Sequence, residues 1–106
     1  MITVIHNKKF LEAQLAGGLC NDQVLVTFLG NQPMSDFEIV ASVKTDDLDE
    51  AFKLTNSINK PWFNNPQVKV IKKSRRSTSI GDILEHNGKM FVVVARGFVE
   101  LKKRPK

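Results

Sequence analysis

The sequence predicts an α+β domain in which a mostly antiparallel sheet of about five to seven strands carries one or two helices on one face. Short apolar and β-branched runs, separated by turn residues, recur along the chain, and residues 47–58 show the clearest helical spacing. A chain of 106 residues suits one small domain. We assign this domain to residues 1–101 and a basic tail to residues 102–106.

The first half of the chain alternates strand-like and helix-like patterns. Residues 2–6 are rich in β-branched side chains and favour a strand. The next segment predicts a helix ended by Gly17-Gly18, with an apolar face made by leucines four apart: Leu11, Leu15 and Leu19. Residues 23–29 are typical of a buried strand. We expect them to pair with a strand at residues 37–44, because sequential strands usually lie side by side.

The helix at residues 47–58 has the strongest signal. A capping Thr or Asp precedes it, and acidic residues fill its first turn, where the helix dipole favours negative charge. Pro61 disfavours helical conformation at the residue before it, so the helix should end near Asn59. The proline-flanked segment 61–66 then forms an aromatic loop.

The last third of the chain predicts strands joined by tight turns. Asn87-Gly88 lies between two apolar runs and is a strong hairpin signal, because both residues tolerate positive φ. Arg96-Gly97 indicates a second turn or bulge. The expected strands are residues 67–72, 80–85, 90–95 and 98–101.

Charge is divided unevenly along the chain. Residues 1–66 contain 5 basic and 8 acidic side chains, whereas residues 67–106 contain 11 basic and 3 acidic ones, a net charge of +8. This asymmetry favours a nucleic acid or an acidic protein surface as partner. It would also allow a homodimer, in which the basic part of one copy meets the acidic part of another.

Several classes of function are disfavoured. The single cysteine, Cys20, excludes an internal disulfide and a multi-cysteine zinc site, and His6 and His86 lack ligand spacing. No dinucleotide or phosphate-binding glycine loop is present, and no apolar run reaches the roughly 18 residues that span a membrane. We therefore expect no metal, no cofactor, no membrane partner and no enzymatic activity.

The richest chemistry lies in residues 75–82, which combine two guanidinium groups, three hydroxyls and a glycine. Hydroxyls and backbone N–H groups can hold phosphate or carboxylate, and arginine adds a bidentate clamp. Alternatively, Ser and Thr bond their own loop while Gly81-Asp82 turns the chain. An aromatic loop residue can also anchor an interface or stack on a base. The candidate partner-binding residues are Trp62, Lys72, Arg75, Arg76, Ser77, Thr78, Ser79 and Asp82.

The order of several short motifs over residues 50–101 resembles that in a group of small accessory proteins encoded by bacteriophages and plasmids. It is also similar to the YodL-like module of mobile-element proteins. The motifs are Ala51-Phe52, Leu54-Thr55-Asn56, Trp62 with Asn65, Arg76-Ser77-Thr78-Ser79-Ile80-Gly81-Asp82, Asn87-Gly88-Lys89 and Gly97-Phe98. The resemblance implies a phage or plasmid origin, an accessory role in the host cytoplasm against host defence or metabolism, and no established reaction.

We therefore expect a non-enzymatic protein that binds and modulates a host protein stoichiometrically. The alternative is a nucleic-acid-binding module that uses residues 67–106. Aromatic and basic residues occupy largely separate segments, which favours the protein partner. A small enzyme holding a phosphorylated substrate in the Ser77–Ser79 loop ranks third, because no acid–base pair can be named.

Overall fold

The computed structural model describes residues 1–16, 21–56, 66–72 and 76–102. In chain order its elements are β1 (Ile2–Asn7), α1 (Phe10–Ala16), α2 (Asp22–Asn31), a 3-10 turn (Met34–Asp36), β2 (Phe37–Val43), α3 (Leu48–Thr55), β3 (Val68–Val70), β4 (Ile83–His86), β5 (Lys89–Val94) and β6 (Gly97–Leu101). Within these ranges no helix is long and apolar enough to cross a membrane.

The described residues contribute six strands to one sheet, in the order β3-β2-β1-β4-β5-β6. Every neighbouring pair is antiparallel. The first strand, β1, lies inside the sheet, and the register between β1 and β2 shifts at Val4/Ile5. The predicted α+β class, the antiparallel sheet and the number of strands are confirmed.

The helices cover both faces of the sheet. Successive residues of a strand point to opposite faces, and the neighbours Val4 and Ile5 belong to two separate apolar clusters. The cluster that contains Val4 packs against α3, whereas the cluster that contains Ile5 includes residues of α1 and α2. The expectation of helices on one face thus holds for α1 and α2, but α3 lies on the other. A strand with apolar side chains on both faces, such as β1, needs cover on both sides.

The predicted strand at residues 23–29 is wrong, because these residues lie within α2. The side chain of Asn21 accepts a hydrogen bond from the backbone N–H of Val24 and caps the helix. Leu25 and Leu29, one helical turn apart, are fully buried. The expected pairing of residues 23–29 with residues 37–44 is wrong for the same reason, since β2 pairs with β1 and β3 instead. The β-branched residues of this segment favour a strand only weakly, and the burial of Leu25 and Leu29 against the sheet outweighs that preference.

Both predicted turns of the last third are confirmed. Asn87 and Gly88 have φ of 53° and 80°, the pair of positive values that a type I′ hairpin requires. Gly97, at the start of β6, has φ of 129°.

The predicted helix at residues 47–58 is α3, which begins at Leu48 after its cap Asp47 and ends at Thr55. The predicted end near Asn59 is wrong, because Asn56 already has a non-helical conformation, with φ of −116° and ψ of 51°.

The assignment of α2 as a helix can be tested through its cap. Asn21→Ala removes the side chain that bonds the Val24 N–H, and should lower the free energy of unfolding by about 1 kcal/mol in urea denaturation. Gln23→Ala, at an exposed position of the same helix, is the control and should change it by less than about 0.5 kcal/mol. Equal effects of the two substitutions would contradict the assignment.

Candidate functional site

Residues 76–82 form a loop that leads into β4. Its last four residues close a turn in which the backbone N–H of Asp82 donates to the carbonyl oxygen of Ser79 at 3.0 Å. Gly81 occupies the third position of this turn with φ of 96°, as a type II turn requires and as glycine readily adopts. The local sequence Ser-Ile-Gly-Asp therefore explains how Asp82 comes to face the loop that precedes it.

The carboxylate of Asp82 is the centre of the site. Asp82 has no exposed surface. Its Oδ1 accepts hydrogen bonds from the backbone N–H of Asn7 at 2.8 Å and from Nη2 of Arg76 at 2.8 Å. Its Oδ2 accepts from the backbone N–H of Ser79 and from Nη1 of Arg76, both at 2.7 Å. The loop thus holds a carboxylate by the means expected for an anion site, but that carboxylate belongs to the chain itself.

Arg76 connects three parts of the fold. Besides the bidentate pair with Asp82, its guanidinium donates to the carbonyl oxygens of Asn7 at 3.3 Å and Ser77 at 3.2 Å. It also lies over the ring of Phe10, 4.0 Å from the ring centroid, an arrangement that suits the planar guanidinium. Only 24% of the side chain is exposed. Its charge is therefore matched within the fold.

Thr78 and His6 extend the polar contacts beneath the loop. Thr78 is fully buried, its backbone N–H donates to the carbonyl oxygen of Thr55 at 2.9 Å, and its Oγ1 lies 3.1 Å from Nε2 of His6. Burial lowers the pKa of His6 below its ordinary value of 6.5; the Asp82 carboxylate opposes this shift and the Arg76 guanidinium adds to it. The imidazole is therefore neutral near pH 7.

Asn7 links this loop to the end of α2. Its side-chain amide donates to Oε1 of Gln32 at 2.8 Å, and Gln32 donates back to Oδ1 of Asn7 at 3.0 Å. Gln32 also donates to Oδ2 of Asp36 at 3.1 Å. We call the following residues the buried polar network: His6, Asn7, Gln32, Arg76, Thr78 and Asp82.

The structure brings together five of the eight predicted site residues in residues 76–82: Arg76, Ser77, Thr78, Ser79 and Asp82. The prediction that Thr78 and Asp82 contact a partner is wrong, because neither has exposed surface. Arg76 was predicted to bind a partner through its guanidinium group. In the structure that group is paired with Asp82, and 24% of the side chain is exposed. Ser77 and Ser79 are partly exposed.

Of the other three predicted site residues, the structure describes Lys72. Lys72 forms an exposed ion pair with Glu38, with Nζ 2.6 Å from Oε2. This hydrogen bond lowers the pKa of Glu38. Trp62 and Arg75 lie outside the described residues.

The predicted leucine face of the first helix is exposed to solvent and does not point to the core. In α1 the buried residue is Ala13, whereas Leu11 is 59% and Leu15 is 88% exposed. Leu19 lies outside the described residues. Val24, on the neighbouring helix α2, is 42% exposed. We define the hairpin surface as Leu11 and Leu15, which lie one turn apart on α1, together with Val24 of α2, the helix that α1 contacts. Spacing alone shows that Leu11 and Leu15 share a helix face, but it does not show whether that face points to the core.

Sequence reasoning also missed a cleft of about 280 Å³ between α3, the Ser79-Ile80 segment and the turn that joins β5 to β6. Phe52 and Phe98 contribute aromatic rings to it. Its residues come from four separate elements, so no local motif could have revealed it. Among the described residues, no group of three or more His, Cys, Asp and Glu side chains could hold a metal ion.

The importance of the central ion pair can be measured by substitution. Asp82→Asn leaves the Arg76 guanidinium without its counter-charge and should lower the free energy of unfolding by about 3–5 kcal/mol in urea denaturation. Lys72→Met breaks the exposed pair with Glu38 and should cost about 1 kcal/mol or less. A loss at Asp82 no larger than that at Lys72 would contradict the role of the buried pair.

Burial of His6 predicts a pH dependence of stability. Because its pKa is lower in the folded than in the unfolded chain, protonation favours the unfolded chain. His6 should therefore contribute stability above pH 6.5 that is lost as the pH falls below that value, by at most about 1.4 kcal/mol per pH unit. Urea denaturation between pH 7 and pH 5 should show a smaller slope for His6→Gln than for the unaltered chain. Identical slopes would contradict the prediction.

Comparison with known proteins adds no assignment. No family model, no curated protein and no solved structure matches this chain. The roles of the loop, the hairpin surface and the cleft must therefore be argued from their own geometry.

Proposed function

We propose that this chain is a phage- or plasmid-type accessory protein that binds and modulates a host protein stoichiometrically, without catalysis. The observation that carries the proposal is the hairpin surface, where a leucine is 88% exposed on a folded helix. The charged motif that first suggested a binding site is largely occupied by its own contacts, so the partner surface is assigned elsewhere.

The chemistry of the hairpin surface suits a protein partner. Glu12 and Asp22 are the only charged residues between positions 10 and 31. Large exposed apolar side chains with few charges around them are typical of the centre of a protein interface. A nucleic acid would instead require cations there to neutralise its phosphates. The partner should therefore present an apolar surface.

The burial of the motif argues against catalysis at this position. A nucleophile or general base must reach the substrate. Thr78 and Asp82 have no exposed surface, and the Asp82 carboxylate already accepts four hydrogen bonds. These two groups act in holding the fold together.

The positions of the described cations favour a protein over a nucleic acid as partner. Lys89 begins β5 and Arg96 follows its end, so the two lie roughly 20 Å apart along the strand. Lys69 lies on β3, four strands from β5 in the sheet order, or about 19 Å away. Lys72 and Lys102 each pair with a glutamate. These separations leave the described cations of residues 67–102 without the continuous stripe that tracks a phosphate backbone.

The proposal is tested by recovering partners from host lysate with the tagged full chain, with and without nuclease. We expect one dominant protein that resists nuclease and 0.5 M salt. Leu11→Gln with Leu15→Gln should reduce its recovery at least about tenfold, because truncating central interface residues commonly costs over 1 kcal/mol each. Ile71→Gln is the control: Ile71 is 55% exposed but lies next to β3, outside the hairpin surface.

The outcomes separate the alternatives. Recovery of nucleic acid alone, lost steeply as salt rises, would replace the proposal with nucleic-acid binding. Equal loss of the host protein with the leucine variant and with Ile71→Gln would overturn the assignment of the hairpin surface. All three substitutions exchange exposed aliphatic side chains, so thermal unfolding should be nearly unchanged and misfolding can be excluded directly.

A further inference from the structure

The cleft between α3 and the β5–β6 turn is lined by both apolar and polar side chains, which we call its apolar and its polar wall. The apolar wall includes Phe52, Val93 and Phe98. The two phenyl rings meet edge to face, with centroids 6.2 Å apart and planes at 72°. The polar wall consists of Asp49, Asn56 and Ser79. Asp49 and Asn56 lie on the same side of α3 as Phe52, three residues before it and four after it. All six of these residues lie in the described part of the chain.

The polar wall is rich in oxygen acceptors. Oδ2 of Asp49 lies 3.0 Å from Nζ of Lys53, in an exposed pair between residues one helical turn apart. Within the described ranges, neither Oδ1 of Asp49 nor the side-chain amide of Asn56 has a hydrogen-bond partner. Oγ of Ser79 accepts one hydrogen bond, from Gln14 at 3.3 Å. Exposed pairs such as that of Asp49 and Lys53 contribute little stability, so a second cation can compete for the carboxylate.

We infer that this cleft binds a small organic amine in which a protonated amino group is joined to one aromatic ring. An ammonium group carries donors and no acceptor, which matches the carboxylate, amide and hydroxyl oxygens of the polar wall. The ring fits the apolar wall, since a third ring can pack against Phe52 and Phe98 at their edges and faces. A volume of about 280 Å³ lies at the lower end of small-molecule sites and suits a single ring with a short arm.

The net charge of the chain does not by itself favour binding of an amine. Because the whole chain carries +5 at pH 7, long-range attraction alone would favour an anion over a cation. A preference for the amine must therefore arise locally, from Asp49 and its neighbours in the cleft. Helix α3, which supplies Asp49, lies on the opposite face of the sheet from α1 and α2. Failure of this inference would leave the proposed protein partner untouched.

Three probes of similar shape separate charge from apolar packing: phenethylamine, phenethyl alcohol and phenylacetate. We expect titration of the full chain, followed by backbone amide NMR shifts, to give the tightest binding for the amine, weaker binding for the alcohol and the weakest for the acid. The shifts should centre on Asn56, Ser79 and Gly97. Binding of phenylacetate as tight as that of phenethylamine, no saturable binding of the amine up to 10 mM, or shifts confined to another surface would overturn the inference.

A matched pair of substitutions tests the role of the carboxylate. Asp49→Asn and Glu50→Gln each remove one negative charge from the first turn of α3, but only Asp49 lines the cleft. Asp49→Asn should weaken phenethylamine about threefold and leave phenethyl alcohol unchanged, as expected for a partly exposed ion pair. Glu50→Gln should change neither. Equal effects of the two variants on the amine would overturn the assignment of Asp49.

Discussion

The ion pair between Arg76 and Asp82 is the contact on which the arrangement of the other elements depends. A fully buried carboxylate is tolerated only when it is paired and hydrogen-bonded, and here four donors from three residues meet it. Through Asn7 the pair fixes the end of β1, and through Phe10 it fixes the start of α1. Loss of either partner would leave a charge inside the fold without its counter-charge.

The Arg76–Asp82 pair also changes how the net positive charge of residues 67–106 is interpreted. Arg76, whose guanidinium group was predicted to bind an external anion, pairs with the carboxylate of Asp82 instead. Lys72 and Lys102 each pair with a glutamate. A segment with a high net positive charge therefore need not form a concentrated patch of cations on the surface of the described residues. Because pairing depends on three-dimensional contacts, net charge over a segment is a weak guide to the electrostatic field that a partner meets.

Two surfaces of the described residues present apolar side chains or acceptor oxygens that contacts within the fold do not fully occupy. The hairpin surface exposes apolar side chains, and the cleft places acceptor oxygens beside two rings. We propose a different class of ligand for each, an apolar protein surface in one case and a small amine in the other.

The sequence by itself determined the features that depend on neighbouring residues. Asn87-Gly88 defined a hairpin because both residues accept positive φ, and the acidic first turn located α3. The α+β class followed from such local signals, and so did the turn at Gly81-Asp82. Only the tertiary structure decided that residues 23–29 form a helix, that α3 lies across the sheet from α1 and α2, and that Arg76 faces Asp82. Those outcomes depend on which side chains compete for the same buried space and the same donors, and residues as far apart as Asn7 and Asp82 meet only when the sheet has formed.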